Sequence, residues 1–489
     1  MTIEVGSADA PLENASTKLL TVYRKGKSMI HLLCSLGELT RNLREPDVQR
    51  RLELAKIRAN ATIDCFENDM LKGYIIPKLT VAMNPVIIES LLLGTIAYNA
   101  QRLPRNTWPS CIGPGIYAVG LAVEGRKGKF LRGCELLLVA DAIAKYADGW
   151  DSLQAPDPKT LQQQDKIKLA QSMEDRIMQT TRISIAANLR FITNSADAAR
   201  VRLLAERLQF RANASLAVDP TSTTIMVQSP LYIGCSTDLK DRTANYKLSN
   251  VTRINKLLGL TVTAMEYCRY DPVLAVKPVL RVWDNNHLPV AERMVSAFAS
   301  SLAALDGFNA TEAGGKPSNV GASMLSAIKQ SVFYYERFHA NNVREAKKAF
   351  QDRIDYLEKV SKLDQDQRRL IDRAVALKEE FESAIRGHRL RTSSERIAEV
   401  AELQRRLDAI EARVDAFQKK VDLAQGHLRN VRPIIDFLIK KGLLSDAADV
   451  VVPRSPETTS DDLQSASAND SMIIQCTDDT IICRTDSPS

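Results

Sequence analysis

From Leu231 to Arg242 the chain reads Leu-Tyr-Ile-Gly-Cys-Ser-Thr-Asp-Leu-Lys-Asp-Arg, and Glu292 follows in Ala291-Glu292-Arg293. These residue types suit the hydrolysis of a phosphodiester. That reaction needs a divalent metal to polarise the phosphate, a base for the water and a cation for the charge that develops. Glu292 supplies a carboxylate for Mg²⁺ or Mn²⁺. Tyr232 is the candidate base, provided that Arg242 and the metal pull its pKa below the free value of about 10. The planar fork of Arg242 is built to clamp a phosphate. Gly234 lets the backbone come close at the end of a strand. Tyr117, in Gly115-Ile116-Tyr117, would support this network from a neighbouring strand.

The spacing resembles the GIY-YIG endonuclease signature. In its second half a strand ends in Tyr-Ile-Gly, an arginine comes eight residues after the glycine, and a Tyr or His often stands four beyond. Here Tyr232-Ile233-Gly234 is followed by Arg242 and then Tyr246. Members of that family carry a glutamate on a later helix and an asparagine near the end of the domain. Glu292, Asn309 in Gly307-Phe308-Asn309, and the turn Ala313-Gly314-Gly315 match these. Gly115-Ile116-Tyr117 is a literal copy of the first half-motif.

The resemblance implies catalytic roles for Tyr117, Tyr232, Arg242, Tyr246 and Glu292, with the metal on Glu292. Gly234 and Asn309 are implied to bind substrate. Two departures stand out. Family tyrosines lie about a dozen residues apart, whereas Tyr117 and Tyr232 are 115 apart, so about 125–222 must be a helical insertion. An alternative makes Ile225-Met226-Val227 a degenerate first strand and removes Tyr117 from the site. Cys235 also stands where some members, notably excision-repair nucleases, have lysine.

The elements that must position these residues are mostly helices. Thr17 to Tyr98 has a helical pattern, with Leu54, Ile57 and Ala61 spaced as on one amphipathic face. Prolines at 104 and 109 break it. Leu136, Leu137, Leu138 and Val139 face a core, and Gln162 to Asn213 is a helical hairpin. Ile225-Met226-Val227 and Leu231-Tyr232-Ile233 are two short strands on a Ser229-Pro230 turn. Leu239 to Leu258 is a helix, Ala275 to Trp283 an alternating strand, and Leu288 to Leu305 a helix opening on Pro289.

An arm follows. Leu403, Leu407, Ile410, Val414, Phe417, Val421, Ala424, Leu428 and Val431 form a heptad seam, with a weaker one at Leu363, Leu370, Ala374, Leu377, Phe381 and Ala384. A turn at Gly387 to Ser394 between them suggests an antiparallel hairpin.

The chain of 489 residues is 45% hydrophobic and 26% charged, enough for about three domains. No secretory signal is read at Met1 to Asn14, and Leu79 to Tyr98 is too interrupted for a membrane span. Eight scattered cysteines form no CxxC pair and imply reduced thiols. The net charge of +7 divides unevenly: nine acids against Arg454 and Arg484 give −7 from Asp446 onward, leaving +14 for the body. A basic body fits polyanion binding; solubility alone is the plainer account. Val450-Val451-Val452 and Met472-Ile473-Ile474 have the composition of short strand-addition ligands. No Walker loop, GxGxxG after a strand, or HExxH is found.

The expected fold is α+β and predominantly helical. Residues 1–105 form an N-terminal helical region, 111–124 plus 223–316 a small GIY-YIG-like αβ domain, and 125–222 the helical insertion. A C-terminal coiled-coil hairpin (319–444) and a disordered acidic tail (445–489) complete the chain. The expected function is metal-dependent endonuclease action on DNA, with RNA second. The alternative is a non-catalytic coiled-coil scaffold or oligomerisation protein with a degenerate nuclease-like domain. A nucleic-acid-packaging protein is a third reading. Intracellular placement in nucleus or cytoplasm, no membrane, and a homo-oligomer through the coiled coil are expected.

Overall fold

A computed structural model describes residues 14–26, 29–68, 75–181, 189–335 and 337–387, with scattered helical positions between 397 and 419. Eight short helices come first: α1 (Ala15–Gly26), α2 (Met29–Cys34), α3 (Gly37–Leu43), α4 (Pro46–Leu54), α5 (Asn60–Asn68), α6 (Ile75–Val81), α7 (Pro85–Leu93) and α8 (Ile96–Arg102). Strand β1 (Gly115–Val123) leads into α9 (Gly133–Gln154), α10 (Leu161–Thr181) and α11 (Ser195–Val218). After these come β2 (Leu231–Ser236), α12 (Leu239–Ala244), α13 (Lys256–Tyr267), β3 (Pro272–Arg281), α14 (His287–Phe298), α15 (Ala322–Gln330) and α16 (Arg337–Gly387).

The molecule is predominantly helical, around one small antiparallel sheet of order β2-β1-β3. β1 is central and every residue in it is buried, which its unbroken apolar sequence requires. Its side chains alternate. Tyr117, Val119, Leu121 and Val123 enter the core shared with α9, α11 and α13, and Ile116 and Ala118 enter the one shared with α1, α7 and α14. Pro272 and Pro278 sit on β3, an edge strand, with Pro278 beside a register shift opposite Tyr117.

Three helices separate β1 from β2, yet the two strands pair directly, with Tyr117 opposite Gly234 and Val119 opposite Tyr232. α9 packs against both α10 and α11. The chelate of Glu135 by Arg126 (2.6 and 2.9 Å), with the Arg132 backbone N–H donating to Glu135 at 2.8 Å, fixes where α9 leaves the sheet. Ile225-Met226-Val227 is not a first strand. Phe130 N donates to Met226 O (2.7 Å) and Met226 N to Leu131 O (3.2 Å), so this segment is tied to the chain entering α9.

Other expectations change in detail. Leu239 to Leu258 is not one helix, because Asn255 starts α13 afresh by accepting from Leu257 N and Leu258 N. Leu288 to Leu305 is helical only to Phe298; Ser300 has φ 46°, in the left-handed region, and the chain turns back there. Leu54, Ile57 and Ala61 do not share a helix face, since α4 stops at Leu54 and Lys56 turns with φ 52°. Leu138 is 56% exposed while Leu136 and Val139 are buried, as helical periodicity requires of four consecutive residues. The apolar stretch from Leu79 is a bent pair, α6 and α7, meeting at 106°. Asn84 caps α7 by accepting from Val86 N, and Glu89 meets Arg24 at 3.3 Å. Among the described residues no single helix is long and apolar enough to cross a membrane.

α16 is 51 residues long, about 76 Å at 1.5 Å per residue. Its first turns dock on the body: Asn342 donates to Val81 O and Met83 O, both at 2.9 Å, and Phe350 is buried. Beyond that it is largely exposed, with Leu370, Ala374 and Leu377 half-buried along one stripe. The second seam from Leu403 to Val431, apart from Ile410, lies outside the described residues, as do the turn at 388–394 and the tail 445–489.

Candidate functional site

The site is assembled at one end of the β1–β2 pair. Directly opposed residues of antiparallel strands share a face, so Tyr117 and Tyr232 both project toward α12. Gly234 faces Tyr117, and a Cβ there would lie 2.4 Å from the Tyr117 hydroxyl. Glycine is therefore what lets the Tyr117 ring lie across β2. β2 ends at Ser236, and Asp238 caps α12 by accepting from Lys240 N (2.9 Å) and Asp241 N (3.3 Å). One turn of helix then carries Arg242 back over the sheet.

Three tyrosines and the arginine meet there. Arg242 Nε donates to the Tyr117 hydroxyl at 3.1 Å, and the Tyr117 and Tyr246 hydroxyls are 2.9 Å apart. Ring centroids are 6.3 Å apart for Tyr117–Tyr232, 5.4 Å for Tyr117–Tyr246 and 6.1 Å for Tyr232–Tyr246. The guanidinium carbon of Arg242 is 5.9 Å from the Tyr246 ring centroid, within cation–π range. Exposure divides the roles. Tyr117 is 0% exposed and meets the Arg242 side chain from beneath. Tyr232 is half-buried and Arg242 exposed; these two can be reached. Gly234, expected to meet substrate, is buried beneath Tyr117.

Burial sets the protonation of the cluster. It pushes the Tyr232 phenol well above its usual range, with Tyr117 and Glu292 adding to the rise and Arg242 opposing it. Among the protein groups alone, loss of hydration outweighs the Tyr246 hydrogen bond and one partly solvated cation, so Arg242 by itself does not lower the Tyr232 pKa. Tyr246 is raised by burial and by the two other tyrosines. For Arg242 burial acts against the charge, but the Tyr117 hydroxyl and neighbouring rings outweigh it and its pKa rises.

Glu292 stands on α14 beside the end of β2. Its Oε2 accepts from Gly314 N (2.9 Å), Gly315 N (2.8 Å) and Cys235 Sγ (3.2 Å). Gly314 has φ +114°, and a Cβ there would meet the Arg293 guanidinium at 2.5 Å, so only glycine permits this wrap. Burial first, and Glu292 second, push the Cys235 thiol up to about 12; it is a neutral donor. Among the described residues Oε1 has no partner, and no group of three or more His, Cys, Asp or Glu could hold a metal. Mg²⁺ takes one or two carboxylates and completes its shell with waters and substrate phosphates. One fixed carboxylate with an open oxygen fits that mode.

Asn309, expected to meet substrate, is buried, and its carboxamide is engaged by the backbone of β2. Its Oδ1 accepts from Ile233 N at 2.9 Å and its Nδ2 donates to Ile233 O at 2.8 Å. Phe308 N donates to Leu231 O at 3.0 Å. Residues 308–309 thereby close the free edge of β2. The amides of Gly314 and Gly315 were not foreseen as anchors of Glu292; the double glycine marks a turn but not what its N–H groups hold.

No family model matches the chain, and neither a curated protein nor a solved structure does.

Proposed function

We propose that the chain is a GIY-YIG-like, divalent-metal-dependent endonuclease that hydrolyses phosphodiester bonds of DNA. The observation that carries this reading is the meeting of Tyr117, Tyr232, Tyr246 and Arg242, drawn from points up to 129 residues apart. A buried aromatic cluster needs no arginine whose Nε is tethered while its fork stays exposed. That arrangement suits a phosphate, because the tether fixes the fork before the ligand arrives.

In this reading Arg242 clamps the scissile phosphate, and Tyr117 and Tyr246 hold the guanidinium in place. Tyr232 reaches the surface and meets the attacking water. Its proton is bound at neutral pH, so the fraction competent as a base grows tenfold per pH unit below its pKa. Glu292 would hold Mg²⁺ or Mn²⁺ through Oε1, where the ion would polarise the phosphate and offset developing charge. The half-buried stripe on α16 would join two copies of the chain.

A second reading is favoured by the same carboxylate. With Oε2 committed to the 314–315 turn and the Tyr232 phenol pushed up, the domain would be a degenerate scaffold and α16 the working part. Nicking of supercoiled DNA by wild type, Arg242→Ala and Glu292→Gln separates the two. Metal-dependent cleavage lost in both variants supports the nuclease, and inert but folded wild type supports the scaffold.

A further inference from the structure

Glu292 and Arg293 are neighbours on α14, and consecutive positions of a helix project about 100° apart. The turn at 313–315 runs between their side chains. On one side Gly314 N and Gly315 N donate to Glu292 Oε2 at 2.9 and 2.8 Å. On the other, Arg293 Nε donates to Ala313 O at 3.2 Å. A Cβ on Gly314 would stand 2.5 Å from Arg293 Nε, 2.6 Å from Nη2 and 2.7 Å from Cζ. The near equality of these distances sets the planar guanidinium broadside to the glycine.

The bond to Ala313 is the only one that Arg293 makes among the described residues. Its terminal nitrogens are not among the buried unsatisfied atoms, and the side chain is half-buried, so the fork meets solvent. The adjoining acids are committed elsewhere. Glu292 Oε2 holds the turn and accepts from Cys235 Sγ, and Glu312 Oε1 accepts from Thr62 N at 2.5 Å. Charges here balance, Arg293 and Lys316 against Glu292 and Glu312. What distinguishes Arg293 is therefore a free fork, not a surplus of charge.

Arg242 is built the same way, with Nε on the Tyr117 hydroxyl at 3.1 Å and its fork outward. One line of contacts joins the two arginines. Tyr117 lies across Gly234, Cys235 Sγ donates to Glu292, and Glu292 holds the turn on which Arg293 rests. A guanidinium fixed through Nε keeps two terminal N–H groups aligned for phosphate oxygens.

We propose that Arg293 is a second substrate contact of this site, taking through Nη1 and Nη2 a backbone phosphate of DNA next to the one that Arg242 clamps. This contact rests on the nuclease reading and deepens it. Phosphates held at both ends of the line of contacts fix the register of the strand, so that Glu292 meets a single linkage.

Binding measured apart from cleavage tests the contact. The full chain is titrated against a fluorescein-labelled DNA duplex in EDTA, and anisotropy is read across a salt series. Each phosphate contact contributes about −0.9 to the slope of log K against log salt. Arg293→Gln should flatten the slope by about 0.9, and Arg293→Lys, which keeps the charge without the Nε tether, should retain it. A merely structural bond to Ala313 would leave the slope unmoved, so an unchanged slope in Arg293→Gln overturns the proposal. Should that variant not fold, phenylglyoxal treatment of wild type decides: protection of Arg293 by the duplex supports the contact, and equal modification with and without DNA overturns it. A flattened slope in a chain that nicks nothing with Mg²⁺ keeps the contact and removes the nuclease. Folded wild type that binds no duplex removes both.

Discussion

Arg242 carries two tasks that lysine cannot share. Its Nε is fixed on Tyr117 while its fork faces outward, and an ammonium offers no such division of donors. Arg242→Lys should therefore lose cleavage nearly as fully as Arg242→Ala, by about 10²–10³ in kcat, in a plasmid nicking assay. Gly234→Ala places a methyl 2.4 Å from the Tyr117 hydroxyl. It should cost about 1–3 kcal/mol in urea unfolding and impair cleavage, since Tyr117 must move off Arg242. The upward shift of Tyr232 sets a pH profile. With the base form scarce at neutral pH, log rate should climb with slope near one from about pH 7 to 9, and Tyr232→Phe should abolish the climb. A flat profile in wild type would remove Tyr232 as the base.

At the scale of elements, the edge of β2 depends on one side chain. Asn309→Leu leaves the N–H and C=O of Ile233 buried without partners and should cost about 1–3 kcal/mol, seen as a lower urea midpoint with unchanged m-value. Glu135 gives a pH signature. Burial acts to raise its pKa, but the Arg126 and Arg132 hydrogen bonds prevail and the folded value is lowered. Its contribution is present above the unfolded pKa of about 4.3 and lost as pH falls through the folded one. Glu135→Gln should thus flatten the acid limb of stability against pH between about 5 and 3.

Several of these elements were legible in sequence. The Tyr-Ile-Gly strand end and the eight-residue step to Arg242 are local, and local chemistry determines them; the cap by Asp238 that turns the chain into α12 was not foreseen. Ala275 to Trp283 was recognisable by alternation. Asn309 was legible as a residue of interest but not as a strand-edge clamp, because nothing near it in sequence names Ile233 as its partner. Helix breaks at Lys56 and Ser300 were missed for a related reason: neither is glycine or proline, yet both adopt positive φ, a conformation that tertiary packing imposes.

Over the whole molecule, the decisive contact spans the insertion. β1 and β2 pair across residues 124–230, and sequence alone left open whether Tyr117 joined Tyr232. Their pairing could be inferred only from the repeated half-motif, since no periodicity reports a contact of that separation. α16 is the other large-scale feature. With Leu370, Ala374 and Leu377 half-buried between exposed positions of the 368–380 stretch of α16, the chain should self-associate. Sedimentation equilibrium of wild type should show a concentration-dependent dimer, and Leu370→Asp with Leu377→Asp should sediment as a monomer with unchanged cleavage per chain.

In the proposed function the tyrosine–arginine cluster and Glu292 act as one hydrolytic site. Its most direct test is nicking of supercoiled and branched DNA by the full chain with Mg²⁺ or Mn²⁺, beside Arg242→Ala and Glu292→Gln variants verified as folded. Wild type should nick in a metal-dependent manner, and both variants should lose that activity. Absence of cleavage by folded wild type on every substrate, or equal cleavage by the variants, would contradict it.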